Sequence, residues 1–205
     1  MRTTSSIGYF QTALSKRLQF VYHNEMKLYL ARHGKTNYNE LGLCNGDPNV
    51  DVHLTKVGAA QALTLGEKLA PATINQIYIS ELPRTLQTAE IVNKSHHAQV
   101  TVDARLNDIR TGFEGKHFSE YFAALDKAEN RWTASFNNGE SVEDFKKRVR
   151  SFLDDLRNKN EATPLIVTSE VVVQTIYGLL HNLSNSETWK FQVEQGGYIT
   201  VDLDI

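Results

Sequence analysis

Residues 28–39 read Leu-Tyr-Leu-Ala-Arg-His-Gly-Lys-Thr-Asn-Tyr-Asn. Leu28 to Ala31 form a short apolar run of the kind that ends a buried strand, and the run stops at Arg32, His33 and Gly34. Gly34 supplies a flexible turn, so the histidine is fixed at a strand end with a guanidinium beside it. That pairing sets a nitrogen nucleophile next to a cation able to grip a phosphoryl oxygen. Asn39 stands three residues beyond Thr36, where it serves as a helix cap or as an anion donor.

Outward from this stretch, strand and helix alternate. A helix over 56–69 follows, capped by Thr55, and then a strand over 76–80 rich in Ile and Tyr. Pro83 suits the first turn of a helix that runs through Ile91 with its apolar positions on one face. A short strand over 99–102 and helices over about 116–130 and 142–158 come next. Ser141 is the N-cap of the second, with Asp144 three residues on. Leu165 to Thr168 read as a buried strand, and Glu170 to Leu180 as its helix. The tail reads as two edge strands, 190–193 and 198–203, joined through Gly196 and Gly197. The alternation predicts an α/β fold, a three-layer α/β/α sandwich with a mainly parallel central sheet. Its ligands should bind at the carboxyl ends of the strands, where Arg32-His33, Ser80 with Arg84 and Thr168-Ser169 fall.

Composition narrows the function. The chain has 205 residues, enough for one domain with a sizeable core. A formal net charge of −2 with mixed signs gives no bulk field for nucleic acid, so any attraction for phosphate is local. No apolar stretch approaches the ~18 residues of a membrane-spanning helix, and no membrane partner is expected. The single cysteine, Cys44, excludes an internal disulfide and fits a reducing, cytoplasmic setting; its neighbours mark it as a small apolar residue rather than a nucleophile. The seven histidines lack the spacing of a metal site, and His96-His97 read as surface residues.

Residues 1–25 stand apart as an N-terminal extension to a domain over 26–205. They hold Arg2, Lys16 and Arg17 but one acid, Glu25, and are rich in Ser and Thr. The readings that stay open are an upstream start outside the native protein, an added helix, whose apolar positions would be Phe10, Leu14, Leu18 and Val21, or a basic organellar presequence.

Four further blocks follow the first in order. They are Asp51, Leu54, Thr55, Gly58, Gln61 and Ala62 after Gly46; Ser80, Arg84, Gln87, Thr88 and Ala89; Asp108, Gly112, Glu114 and Gly115; and Gly139, Glu140 and Ser141. Together with Arg32-His33-Gly34-x-Thr36-x-x-Asn39 they resemble the histidine phosphatase superfamily, the phosphoglycerate-mutase-like enzymes, and most closely its small-phosphatase branch. The resemblance covers roughly residues 26–200. It implies a phosphomonoester hydrolase that needs no cofactor and no metal. His33 would be the nucleophile, Arg32, Arg84 and Asn39 would hold the phosphate, and Asp108 would be the acid that protonates the leaving oxygen and then activates water. Asp108 stands where that branch usually carries Glu, and it is preferred over Glu114 for its spacing to Gly112.

One block departs. Where the family reads Val-Ser/Thr-His-Gly, this chain reads Val167-Thr168-Ser169-Glu170, so Ser169 stands in the place of a second active-site histidine. A hydroxyl donates one hydrogen bond but carries no charge. Losing a hydrogen bond to a charged group costs about 1.5–3 kcal/mol, so the resemblance implies a weakened or specialised phosphatase for a small phosphate ester or a phosphopeptide. The alternative is a non-catalytic phospholigand-binding or scaffold protein of the same fold. A mutase is disfavoured by the short core. The substrate, and the number of copies that assemble, stay open.

Overall fold

A computed structural model describes residues 25–159 and 163–205. The expectations for the N-terminal extension fall outside these residues, apart from the backbone of Glu25.

Five strands form one sheet: β1 (Glu25–Arg32), β2 (Gln76–Ile79), β3 (Gln99–Val102), β4 (Leu165–Thr168) and β5 (Tyr198–Asp204). Their order is β3-β2-β4-β1-β5. The β2–β3, β2–β4 and β1–β4 pairs are parallel, and only β5 runs antiparallel, along β1.

Alternation along each strand sends side chains to opposite faces, and the two faces hold different clusters. Leu28, Leu30, Tyr78 and Ile166 pack with Phe145, Val149 and Phe152 of α5 (Val142–Arg157) and with Val172, Val173 and Ile176 of α6 (Glu170–Leu180). Ala31, Ile77, Ile79, Leu165 and Val167 pack with Leu65 and Leu69 of α2 (Lys56–Leu69) and with Ala89 and Val92 of α3 (Pro83–Val92). This is the three-layer α/β/α sandwich that the alternation predicts. On α5 the residues Phe145, Val149, Phe152 and Leu156 recur at three- and four-residue spacing and are all buried. Each such side chain contributes roughly 1.5–3 kcal/mol on leaving water.

The tail departs from its expected two strands. Residues 198–204 do form an edge strand, but 190–193 do not. Their backbone groups are taken by side chains instead: Gln174 Nε2 donates to the Phe191 carbonyl, and the Val193 N–H and carbonyl meet Glu170 and Arg32. The helix expected over 116–130 is shorter, α4 (Phe118–Lys127), with His117 as its N-cap. A helix not foreseen, α1 (Asn37–Leu41), follows the first motif, and a short α7 (Asn185–Thr188) follows α6. Among the described residues no helix is long and apolar enough to cross a membrane.

Candidate active site

The carboxyl ends of three adjacent parallel strands carry the site. The His33 N–H donates to the Thr168 carbonyl at 2.9 Å, which extends the β1–β4 ladder by one step and fixes the histidine backbone. Gly34 then lies against α2: a Cβ there would stand 2.2 Å from the Gly58 carbonyl oxygen, and a Cβ on Gly58 would stand 2.1 Å from that of Lys35. Close approach of two backbones, rather than turn flexibility, is what both glycines provide. The second and third sequence blocks hold this loop from outside. Gln61 Oε1 accepts from Lys35 N–H at 2.9 Å, and Thr88 Oγ1 accepts from Gly34 N–H at 3.2 Å.

The imidazole of His33 is 2% exposed. Its Nδ1 lies 2.7 Å from the Gly34 carbonyl, so Nδ1 carries the proton and donates. Arg84 Nε donates to the other nitrogen, Nε2, at 3.0 Å. The two bonds select one tautomer, with the Nε2 lone pair directed into the site. Burial first, and then the neighbouring charges of Arg84 and Arg32, hold the His33 pKa well below the ordinary histidine value, so the ring is neutral.

Arg84 sits in the first turn of α3, where Ser80 and Thr85 join hydroxyls at 2.8 Å and bind the helix start to the end of β2. Its side chain is almost wholly buried. Nη2 donates to the Asn45 carbonyl at 2.8 Å and to Asp108 Oδ2 at 3.3 Å, while Nη1 is buried without a partner. Burial lowers the guanidinium pKa, and Asp108 opposes that shift.

Asp108 lies on the loop after β3, its side chain 22% exposed and open to a ligand. Oδ1 accepts from Ile109 N–H at 2.8 Å. Desolvation raises its pKa above the usual carboxylate value, against the pull of Arg84. Ser169, at the end of β4, is buried; its hydroxyl turns toward Asp108 and favours the ionised carboxyl, yet it reaches no partner in hydrogen-bonding geometry. Arg32 is pinned at Nη1 by Glu170 Oε2 at 2.6 Å and by the Val193 carbonyl at 2.8 Å, with Nε buried and unpartnered.

Five of the six expected site residues therefore meet: Arg32, His33, Arg84, Asp108 and Ser169. Asn39 does not join them through its oxygen, which accepts from the N–H of Thr36 at 3.0 Å in a capping box that starts α1. Glu114 is committed to structure, with Oε2 accepting from Gly46 and Asp47 N–H groups at 2.8 and 3.1 Å. Cys44 packs with Tyr121 and Leu125, and burial pushes its thiol pKa up, as suits a core residue. Phe113 and Tyr121 meet Phe136 edge-on within the 110–140 segment and are packing residues.

Two contributors escaped the sequence reading. Asn45 sends its carbonyl to Arg84 and keeps both side-chain polar atoms buried without partners. Arg148 grips Glu140 with two bonds, Nε to Oε2 at 2.9 Å and Nη2 to Oε1 at 2.7 Å. It also donates to the backbone carbonyls of Arg105, Asn107 and Asp108, so it fixes the loop that presents Asp108. The signal was the acid of the Gly139-Glu140-Ser141 block, since a carboxylate ahead of a core helix calls for a cation on that helix. Beside the loop, a cavity of about 660 Å³ is lined by Asn107, Arg110, Glu81 and Glu114.

Arg84 Nη1, Arg32 Nε and Ser169 Oγ are buried without partners, the unprotonated His33 Nε2 is held by Arg84 Nε, and Asp108, a carboxyl of raised pKa, is bonded to the same guanidinium. Donors buried without acceptors suit an anion, and the nitrogen beside them suits attack on it. Among the described residues no group of three or more His, Cys, Asp or Glu side chains is placed to hold a metal.

Comparison with known proteins bears on the family and the fold. The sequence model of the histidine phosphatase superfamily (branch 1) matches residues 28–204. An adenosylcobalamin/α-ribazole phosphatase of Salmonella typhimurium is 28% identical over 87% of this chain and 91% of its own length. Phosphoserine phosphatase 1 of Hydrogenobacter thermophilus is 26% identical over 87% of both chains. The crystal structure of the α-ribazole phosphatase from Shigella flexneri superposes with a TM-score of 0.76 at 29% identity, covering 86% of this chain and 90% of that one.

Proposed function

The chain belongs to branch 1 of the histidine phosphatase superfamily, and we propose that it hydrolyses small phosphate monoesters through a phosphohistidine formed at His33. One observation carries the reading. A neutral imidazole presents its unprotonated Nε2 beside a buried guanidinium whose Nη1 has no partner.

In the first step a phosphoryl oxygen takes the Nη1–H of Arg84, and the Nε–H turns from the imidazole lone pair to a second oxygen. His33 Nε2 then forms a bond to phosphorus as the bond to the leaving oxygen breaks. The proton that the leaving oxygen needs comes from the Asp108 carboxyl. The ring gains positive charge, which Nδ1–H shares with the Gly34 carbonyl. In the second step the Asp108 carboxylate takes a proton from water, water oxygen attacks phosphorus, and the N–P bond breaks. Inorganic phosphate leaves and neutral His33 returns. Positioning and fixed positive charge do most of the work in such transfers.

Ser169 and Glu170 make this a weakened or specialised member. Where the family's histidine would add a cationic donor, Ser169 offers an uncharged hydroxyl, and Glu170 neutralises Arg32. The same ion pair favours one second reading, a phospholigand-binding protein without turnover. Names of relatives point to two substrates, phosphoserine and α-ribazole phosphate, and both are small phosphate esters.

Hydrolysis of p-nitrophenyl phosphate by the purified chain, compared with His33→Ala, decides between the readings. Turnover well above the variant is expected. Equal rates in the two proteins would leave the binding reading.

A further inference from the structure

Arg32 meets an anion before any substrate arrives. Its Nη1 lies 2.6 Å from Glu170 Oε2 and donates to the Val193 carbonyl at 2.8 Å. The other Glu170 oxygen accepts from the Val193 N–H at 3.3 Å. The end of β1, the start of α6 and the segment before β5 are thereby closed into one ring of contacts. Glu170 is the first residue of α6, directly after Ser169, and a helix start is where an anion is favoured. The chain's own carboxylate holds that position. The geometry is specific: a side chain only 25% exposed, with both oxygens engaged.

The consequence is a matter of charge. Of the two arginines at the strand ends, Arg84 alone faces the site without a full counter-ion, because its bond to Asp108 is long, at 3.3 Å. A phosphoryl dianion that enters meets one cation loosely paired with Asp108 and one tightly matched by Glu170. Glu170 and the phosphoryl group compete for the same guanidinium, because the Nη1 that would turn to a phosphoryl oxygen is already given to the carboxylate.

We propose that Glu170 is a specificity-determining residue that acts through Arg32 as an internal counter-anion, weakening the hold on the bare phosphoryl group. Inorganic phosphate, which offers the site nothing but charge, is then bound weakly and released readily. Esters are accepted for what their leaving group adds. This inference rests on the reading of His33 and Arg84 as a phosphoryl site.

The test uses the full chain and inorganic phosphate as the probe. Glu170→Gln keeps the length of the side chain and an acceptor for the Val193 N–H while removing the charge. Calorimetric affinity for inorganic phosphate is expected to tighten about tenfold. The KM for p-nitrophenyl phosphate should fall by a similar factor, with kcat changed less than about threefold. Glu170→Gly should act in the same direction, and Glu170→Asp, which keeps the charge, should stay near the natural protein. In an Arg32→Ala background the Gln substitution should raise phosphate affinity by less than about threefold, because no guanidinium is left for the carboxylate to withhold. Unchanged or weaker phosphate binding by Glu170→Gln overturns the proposal, and so does an equal gain with and without Arg32. Binding is read without turnover, so phosphate affinity that responds as expected in a chain that hydrolyses nothing overturns the hydrolase reading alone.

Discussion

Arg84 Nε donates to His33 Nε2 at 3.0 Å, so a cation holds the lone pair that attacks phosphorus in the proposed mechanism. The bond keeps the nucleophile unprotonated and aimed, and it gives the guanidinium a short path from imidazole to phosphoryl oxygen. Lysine has no planar fork to make both contacts. Arg84→Lys is therefore expected to lower kcat/KM for p-nitrophenyl phosphate by about 10²-fold, in line with loss of one preorganised donor to developing charge. Steady-state kinetics check this, and a rate within about threefold of the natural protein would exclude the arrangement.

Phosphate should become bonded to His33 during turnover. Rapid alkaline quench after mixing with substrate, followed by peptide mass spectrometry, should locate an acid-labile, alkali-stable phosphate on that residue. His33→Ala should carry none. A phosphate mapped to any other side chain in the active protein would contradict the assignment.

The pH dependence follows from two opposite shifts. Burial and the arginines hold the His33 pKa down, so the neutral nucleophile persists into mildly acidic solution and kcat/KM should not fall there on its account. Desolvation raises the Asp108 pKa, so its carboxyl keeps the proton for the leaving oxygen to higher pH than an ordinary aspartate. Activity should decline as pH rises through that raised value, and Asp108→Asn should remove the alkaline decline. The cost of the substitution should also depend on the leaving group. An alkyl phosphate, whose leaving oxygen needs the proton, should lose more than p-nitrophenyl phosphate. Equal losses for the two esters would show that Asp108 donates no proton in this step.

Ser169 Oγ is buried beside Asp108 without a full hydrogen bond, so the end of β4 has an unfilled donor role. Ser169→His together with Glu170→Gly should add a cationic donor and remove an acid. A gain of about tenfold or more in kcat/KM is expected, in keeping with about 1.5–3 kcal/mol for a hydrogen bond to a charged group. Ser169→Ala alone should cost little if the hydroxyl stays unpartnered in the complex. A double variant no faster than the natural chain would mean that another group already serves in the histidine's place.

The layered sheet and its helices were legible because they rest on local patterns. Apolar runs at 28–31, 76–79 and 165–168, helical periods on α2, α3 and α5, and the caps Thr55 and Ser141 all act over a few residues. The strand over 190–193 was misread for the same reason. Its composition suits a strand, but its backbone partners are side chains of α6 and β1, which no local pattern announces.

The sequence by itself also pointed to which residues gather at the site, since strand ends put Arg32, His33, Arg84 and Ser169 at the carboxyl side of a parallel sheet and the family resemblance added Asp108. Tertiary structure alone decided what each is free to do. Bond directions and burial set the His33 tautomer through Gly34 and Arg84, turned Asn39 to a helix cap, gave Glu114 to the backbone of Gly46 and Asp47, and matched Arg32 to Glu170. Charge and hydrogen bonding depend on distances of a few ångströms between residues more than a hundred positions apart, as with Arg32 and Glu170. Only the folded chain brings those distances into being.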